Sequence, residues 1–397
     1  HMKILIVGSG VAEVLSCNQE LIAKRAGNPI EVKYILDLRD FPGDPNETKV
    51  VHDIEVILQD PEISIVCETM GGNEPAYTFS RRALEAGKSV CTSNKELVAN
   101  HGAELLRLAR ENRCNYFFEA SVGGGIPIIR PINDCLTAER IVEVSGILNG
   151  TTNYILTKME QEGMLFEEAL GQAQALGYAE RNPEADVEGY DACRKIAILT
   201  SLVAGKTVDF HKIHTEGITG IDPTDFAYAK KLDATIKLLA VSRETEDGYQ
   251  ISVAPYLLKK ENALAGVNDV FNAVAVCGNT LGDTMFYGRG AGKLPTASAV
   301  VADVVECARH LQKTVGCLWE EGEAKVADFD SQEGRFFVRV SKKARADVEK
   351  VFGAVVPVVL DSALEEFAFV TESMQEAEFE KCREQIFGFV KKIRIKD

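Results

Sequence analysis

Apolar positions along the chain fall into two rhythms. Residues 3–8, Lys-Ile-Leu-Ile-Val-Gly, form a nearly continuous apolar run ending in glycine, as a parallel strand buried on both faces requires. Runs at 32–36, 63–67 and 89–92 repeat the pattern, with helical stretches between them such as 74–86, stopped by Gly87. From about 130 to 285 the rhythm changes, and strand-like runs at 141–148 and 251–256 alternate with helices. Pro295-Thr296 ahead of an Ala/Val-rich run marks a helix start, and that helix is expected to return to the first domain. The segment 335–395 reads as βαββαβ, with strands at 336–340, 355–360, 366–371 and 389–395 and helices at 346–352 and 377–386. The pattern predicts an α/β fold in three parts. A doubly wound parallel sheet occupies 1–128 and is completed by about 286–318; an α+β domain spans 129–285; a ferredoxin-like unit spans 325–397.

The first strand leads into Gly8-Ser9-Gly10, and Val11-Ala12 is expected to open a helix. This is the strand, glycine turn and helix of a Rossmann-type dinucleotide site, where helix amides bind pyrophosphate. Glu13 stands where G-x-G-x-x-G has its third glycine, and a carboxylate beside phosphates is unfavourable unless it points away. The second run ends at Asp37-Leu38-Arg39. An acid there bonds the ribose of NAD and an arginine takes the extra phosphate of NADP, so the preference stays open. Thr69-Met70-Gly71 and Ser93-Asn94-Lys95 follow the third and fourth runs, at the carboxyl ends where open α/β sheets bind ligands. A loop lysine is usually just solvated, and Lys95 gains weight from that placement. Glu119 to Pro127 contains Gly123-Gly124-Gly125. Carbonyls turned inward there would ligate a hard cation, but a hinge alone is the simpler reading. A second glycine-rich turn begins at Gly288.

The densest cluster of candidate chemistry is 180–199, which carries Glu180, Asp186, Asp191 and Lys195. Asp191 and Lys195 lie four apart and share one helix face. An exposed pair of that kind is worth a few tenths of a kcal/mol. The helix beyond Lys195 is apolar on most of its circumference, which argues for burial, and a buried lysine suits proton transfer.

With 397 residues, 46% of them hydrophobic and 26% charged, the chain has ample material for the core of a soluble protein. A net charge of -16 disfavours nonspecific binding to nucleic acid or acidic membranes, and no apolar run approaches the ~20 residues of a membrane span. His1-Met2 reads as a cloning remnant, and the opening run is not that of a signal peptide. Ten cysteines without a C-x-x-C pair read as reduced core thiols, which suggests the cytoplasm, and the six histidines form no zinc pattern.

Taken in order, E-T-M-G-G-N-E-P-A at 68–76, S-N-K-E-L-V-A at 93–99 and E-A-S-V-G-G-G-I-P at 119–127 resemble homoserine dehydrogenases. So do L-N-G-T-T-N-Y-I at 148–155, L-G-Y-A-E at 176–180, D-V-E-G-Y-D-A-C-R-K-I-A-I-L at 186–199 and G-R-G-A-G-K-L-P-T-A-S-A-V at 288–300, so the likeness covers essentially the whole chain. It implies NAD- or NADP-linked interconversion of L-homoserine and L-aspartate 4-semialdehyde, a step toward threonine, methionine and isoleucine. By that likeness Lys195 is the proton donor and acceptor, and Lys95 lies beside the nicotinamide and the reacting oxygen. Glu180, Asp186 and Asp191 hold the substrate, and Gly150, Thr151, Gly177 and Tyr178 line its pocket. Gly8 to Ala12, Asp37 or Arg39, Thr69 to Gly71, Ser93 to Lys95 and Gly288 serve the cofactor. A structural sodium ion is implied at Glu119, Val122, Gly124 and Ile126, through backbone oxygens. The last unit resembles an amino-acid-sensing ACT domain, with threonine feedback or mere dimerisation as its roles, although Ser341 to Asp347 lacks the glycine that usually opens the ligand site. The family also implies a homodimer. Two alternatives remain: a dehydrogenase for another small amino-acid aldehyde, and a sensor that lost catalysis, motivated by Glu13.

Overall fold

The protein was analysed as a computed structural model that describes residues 2–6, 8–361 and 363–396; His1 and Val7, which belong to the expectations above, lie outside them. The chain divides into two compact units. One comprises the residues up to Arg140 with Ala197–Phe210 and Phe286–Ala324; the other comprises Ile141–Ile196, His211–Met285 and the chain from Lys325 onward.

The first unit is built on six strands: β1 (Met2–Ile6), β2 (Ile30–Leu36), β3 (Val50–Val51), β4 (Ile63–Glu68), β5 (Ser89–Thr92) and β6 (Tyr116–Phe117). They lie in the order β3-β2-β1-β4-β5-β6, and each neighbouring pair is parallel. The order reverses between β1 and β4, which places the ligand crevice of such a sheet at the carboxyl ends of those two strands. Helices α1 (Ser9–Cys17), α2 (Gln19–Ala26), α3 (Ile54–Leu58), α4 (Ala76–Glu85) and α5 (Lys95–Glu111) connect them. One core cluster joins Val11, Leu15 and Ile22 to Ile65, Cys67 and Cys91, and to Val300, Val304 and Cys307 from a late helix, Lys293–Arg309. That is the helix expected to return. All ten cysteines are unpaired.

The second unit contains β7 (Ile141–Ile147), β8 (His214–Thr215), and the long hairpin β9 (Ala234–Thr245) and β10 (Gly248–Lys259). Next come β11 (Phe271–Gly278) and β12 (Gly282–Arg289), whose residues from Phe286 on count with the first unit, then β13 (Glu333–Gly334), β14 (Phe336–Ser341), β15 (Glu366–Val370), β16 (Met374–Gln375) and β17 (Phe389–Lys396). Its main sheet runs β12-β11-β7-β9-β10-β17-β14-β15, and β8 pairs with β10. Pro255 sits mid-strand in β10, where a missing N–H ordinarily costs a ladder bond. Here β8 pairs with Ser252 and Val253 while β17 pairs with Tyr256, Leu257 and Leu258, so Pro255 falls in the gap between them.

The carboxy-terminal module follows the predicted order with one correction. The strand expected at 355–360 is reduced to a single bridge between Val358 and Ala368. Pro357 lacks an N–H and Val356 and Val359 are exposed, so only Val355 packs against the module's core and no ladder forms. The module's strands continue the main sheet, because β17 pairs with β10 on one side and with β14 on the other. Ion pairs of two buried arginines reinforce the junction. Arg394 of β17 bonds Glu376, and its Nη1 reaches Oε1 of Glu216 at 2.8 Å; Arg339 of β14 donates to Asp225 at 2.6 Å.

Burial alone would raise the Glu216 carboxyl, but the His214 hydrogen bond and the Arg394 charge outweigh it and hold the group at about 2. A depressed carboxyl stabilises the fold above its ordinary value and loses that contribution as pH falls through the folded value. Glu216→Gln is therefore expected to lower the thermal midpoint at pH 7, and the deficit should shrink as pH drops below ~4.5 toward ~2. Melting curves of both proteins across that range check it.

Candidate active site

The cofactor side is assembled at the carboxyl ends of β1, β2, β4 and β5. Helix α1 starts at Ser9, two residues before the expected opening at Val11. Gly8 precedes it with φ at 126°, and a Cβ there would meet Thr69 Oγ1 at 2.7 Å, so the first and third loops converge. Gly10 lies inside the helix, buried with Val11, and a Cβ there would meet Ala297 and Lys293 at 3.1 Å. The second glycine thus supplies a close helix contact of the kind usually assigned to the third. Ser9 is exposed and Ala12 half-buried. Glu13 is exposed and its carboxylate accepts from Lys293 Nζ at 2.7 Å. Asp37 and Arg39, the two residues expected to compete for a ribose, grip each other through Arg39 Nε (3.0 Å) and Nη2 (2.9 Å), and the hydrogen bonds from Arg39 hold the Asp37 carboxyl at about 2.

Asn94 caps α5, its Oδ1 accepting from Leu97 N at 3.0 Å, and this fixes half-buried Lys95 as the helix's first residue. Asn94 Nδ2 donates to the Gly72 carbonyl at 2.7 Å, tying the Thr69–Gly72 loop to the Ser93–Lys95 loop. Both loops adjoin buried Glu68, which accepts from Met70 N at 2.5 Å.

The glycine run at 123–125 is a close-packing site, which corrects the hinge-only reading. Gly124 has φ at 56°, and a Cβ there would meet the Gly290 carbonyl at 2.2 Å; one on Gly125 would meet Pro295 at 2.8 Å. Gly288 lies against Ile126, 3.3 Å from a hypothetical Cβ. Buried Glu119 accepts from the amides of Ile128 (2.7 Å), Ile129 (2.8 Å) and Arg130 (2.8 Å). Its carboxylate is therefore committed to the main chain. Among the described residues no group of three or more His, Cys, Asp or Glu is placed to hold a metal ion. The donors left near Val122, Gly124 and Ile126 are neutral carbonyls, a set that suits a hard cation of low charge.

The second unit carries the densest chemistry. Asp191 and Lys195 lie on the helix Tyr190–Ala204, 4% and 9% exposed. Lys195 Nζ donates to Asp191 Oδ2 at 2.7 Å and to the Leu148 carbonyl at 2.8 Å. Asn149, which the sequence reading passed over, donates from one Nδ2 to Asp191 Oδ2 (2.9 Å) and to Asp186 Oδ1 (2.7 Å). Its Oδ1 caps the helix Gly150–Glu162 by accepting from Thr152 N at 2.8 Å. An Asn directly before Gly-Thr-Thr is an N-cap signal, and that was the available clue. The Asp186 carboxyl is pushed up, first by burial and then by the Asp191 charge. Gly150 packs against the Val270 carbonyl, 2.8 Å from where a Cβ would sit. Thr151 Oγ1 donates to the Tyr178 carbonyl at 2.6 Å and so holds the turn at Gly177, whose φ is 76°. The Tyr178 ring, partly exposed, meets Tyr154 edge-on at 5.1 Å. Asp186, Asp191, Lys195 and Thr151 are thus brought together. Glu180 is exposed and engaged through its main-chain carbonyl, which accepts from Gln174 at 3.0 Å.

Comparison with known proteins bears on this arrangement. Residues 6–119 match a family model described as the NAD binding domain of homoserine dehydrogenase, and residues 127–305 match the homoserine dehydrogenase model itself. A homoserine dehydrogenase of Bacillus subtilis is 37% identical over 399 residues, covering 94% of this chain and 90% of the relative. The chain belongs to the homoserine dehydrogenase family. The enzyme of Pseudomonas aeruginosa is 46% identical over 77% of this chain and 70% of its own length. The crystal structure of a homoserine dehydrogenase from Thiobacillus denitrificans superposes with a TM-score of 0.91 at 33% identity, covering 100% of this chain and 97% of that one. Homoserine dehydrogenase activity, an oxidoreductase chemistry, follows from this membership, and the nucleotide-binding first unit fits it.

Asn149 bonds both Asp186 and Asp191, so its loss removes the donor that the two carboxylates share. Asn149→Ala is expected to lower kcat/KM for homoserine by about tenfold or more, the scale of one hydrogen bond to a charged group. Steady-state kinetics beside a thermal melt checks this; kinetics unchanged from wild type would discount the role.

Proposed function

We propose that the chain interconverts L-homoserine and L-aspartate 4-semialdehyde with Asp186, Asp191, Asn149, Thr151 and Lys195 as its substrate side. The observation that carries this reading is the Lys195 ammonium. Of its three N–H bonds, one is directed to Asp191 and one to the Leu148 carbonyl, and the third is available to a substrate oxygen. In reduction the Lys195 ammonium donates a proton to the forming alkoxide; in oxidation its neutral amine takes the hydroxyl proton. Asp186 and Asp191 attract the substrate ammonium. The nicotinamide, when bound, supplies or accepts the hydride. Lys95, first on its helix beside the cofactor loops, polarises the reacting oxygen. Glu180, Gly150, Gly177 and Tyr178 rim the substrate pocket. Gly8 to Ala12, Thr69 to Gly71, Ser93, Asn94 and Gly288 take the dinucleotide, and the Asp37–Arg39 pair meets its ribose, with the cofactor's extra phosphate deciding which partner is displaced. The alternative of a silent sensor rested on Glu13, and its pairing with Lys293 removes that motive.

A sodium ion at the carbonyls of Glu119, Val122, Gly124 and Ile126 has a structural role in this reading. Ten unpaired cysteines favour a reducing compartment, the cytoplasm. Homodimerisation is supported by edge strand β12, which exposes Met285 and Tyr287. The carboxy-terminal module is the place for an amino-acid effector, threonine by resemblance. Titration with threonine is expected to lower activity; a flat response leaves the module a purely structural role.

The first test is homoserine-dependent reduction of NAD and NADP in parallel, followed by nicotinamide absorbance. Turnover is expected with at least one cofactor. Lys195→Ala should abolish it while sparing cofactor binding, and turnover retained in that variant would remove Lys195 from the chemistry.

A further inference from the structure

Strand β4 ends in Glu68 and β5 ends in Thr92, opposite each other in register. Glu68 is 2% exposed, an expensive place for a carboxylate. Burial draws its carboxyl up to about 7, against hydrogen bonds from Thr92, Met70 and Asn94. A raised carboxyl makes the fold less stable as pH climbs from its ordinary value to the folded one, so near neutrality an ionised Glu68 works against stability. Its bonds run toward the loops assigned to the cofactor. Oε1 accepts from Met70 N at 2.5 Å, and Oε2 accepts from Thr92 Oγ1 at 2.7 Å. Thr92 Oγ1 in turn accepts from Asn94 N at 2.9 Å. Asn94 holds Gly72 with its amide and caps the helix that begins at Lys95 with its carbonyl.

This chain of bonds has a direction. Met70 N–H and Thr92 O–H both donate to Glu68, so the residue must offer two acceptors and no donor at those points. A carboxylate does so. A protonated acid or a carboxamide turns one of the two into a donor. Either the Met70 amide is then opposed, or the Thr92 hydroxyl must turn its proton away.

We propose that Glu68, acting through Thr92 and Asn94, is the positioning residue that sets the Met70–Gly72 loop and Lys95 for hydride transfer. The inference rests on the assignment of those loops and of Lys95 to the cofactor and the reacting oxygen. It gives the sheet's buried carboxylate a task outside stability: one ionised group fixes two loops and a helix start together.

Three variants test it, one at Glu68 and two at Thr92, each assayed for kcat, for cofactor KM, for NADPH binding by fluorescence and for thermal midpoint at pH 8. Glu68→Gln should fold with a midpoint at or above wild type, because the buried charge is gone. Its kcat/KM for the cofactor should fall about tenfold or more, the scale of losing one charge-assisted hydrogen bond. Thr92→Val should reproduce the kinetic loss, whereas Thr92→Ser, which keeps the hydroxyl, should restore kinetics close to wild type. Wild-type kinetics in both Glu68→Gln and Thr92→Val would overturn the proposal, and so would a kinetic loss matched by a fall in thermal midpoint. Absence of homoserine-dependent turnover in the wild-type enzyme would overturn the functional assignment and this inference with it.

Discussion

A single carboxamide holds the buried polar cluster of the second unit in register. Asn149 spans Asp186 and Asp191 with one nitrogen while its oxygen caps the following helix, so two carboxylates, a helix start and an ammonium share one anchor. Breaking a buried ion pair by removing one partner costs about 3–5 kcal/mol, since the survivor is left uncompensated. Lys195 and Asp191 avoid that penalty only together. The Leu148 carbonyl, at the end of β7, adds a neutral acceptor that no side-chain substitution can remove. The strand, the cap and the helix thus fix where a proton is held before any substrate arrives.

Much of this was legible in the chain itself. The continuous apolar runs gave the parallel strands their places, because burial on both faces leaves no room for alternation. The four-residue spacing of Asp191 and Lys195, followed by an apolar helix, pointed to a buried pair, and the motifs in family order identified their company. What escaped depended on distant partners. Nothing local tells that Glu13 will meet Lys293, or that Gly10 will be pressed by Ala297, since those neighbours arrive from a helix nearly three hundred residues later. The segment at 355–360 misled for the opposite reason: its composition favours a strand, but Pro357 and exposed valines leave it only one bridge. Glu68 stood in plain view at the end of a strand; only its burial and its donors mark it out.

The two units use charge in different ways. In the first, the Glu68 carboxylate is buried among neutral donors and works against stability near neutral pH. In the second, the carboxy-terminal strands are fastened by arginines surrounded by acids, with Arg339 facing Asp222, Asp225 and Glu366. Those arginines satisfy several acceptors each, which a planar guanidinium does better than an ammonium. The first arrangement orders loops; the second joins a module to a sheet.

The place of β17 in the middle of the main sheet bears on how the chain is made. β10 leaves the ribosome long before Phe389–Lys396 exists, so its parallel partner is absent through much of synthesis. The first unit is in the same position, because its core waits for the helix Lys293–Arg309. Vectorial folding from the amino terminus, the usual route for a chain emerging at ~5–20 residues per second, can finish neither unit early. High contact order of this kind slows folding and prolongs the exposure of unpaired strand edges. Chaperone binding during translation should therefore concentrate on nascent chains that already display β9 and β10 but still lack β17.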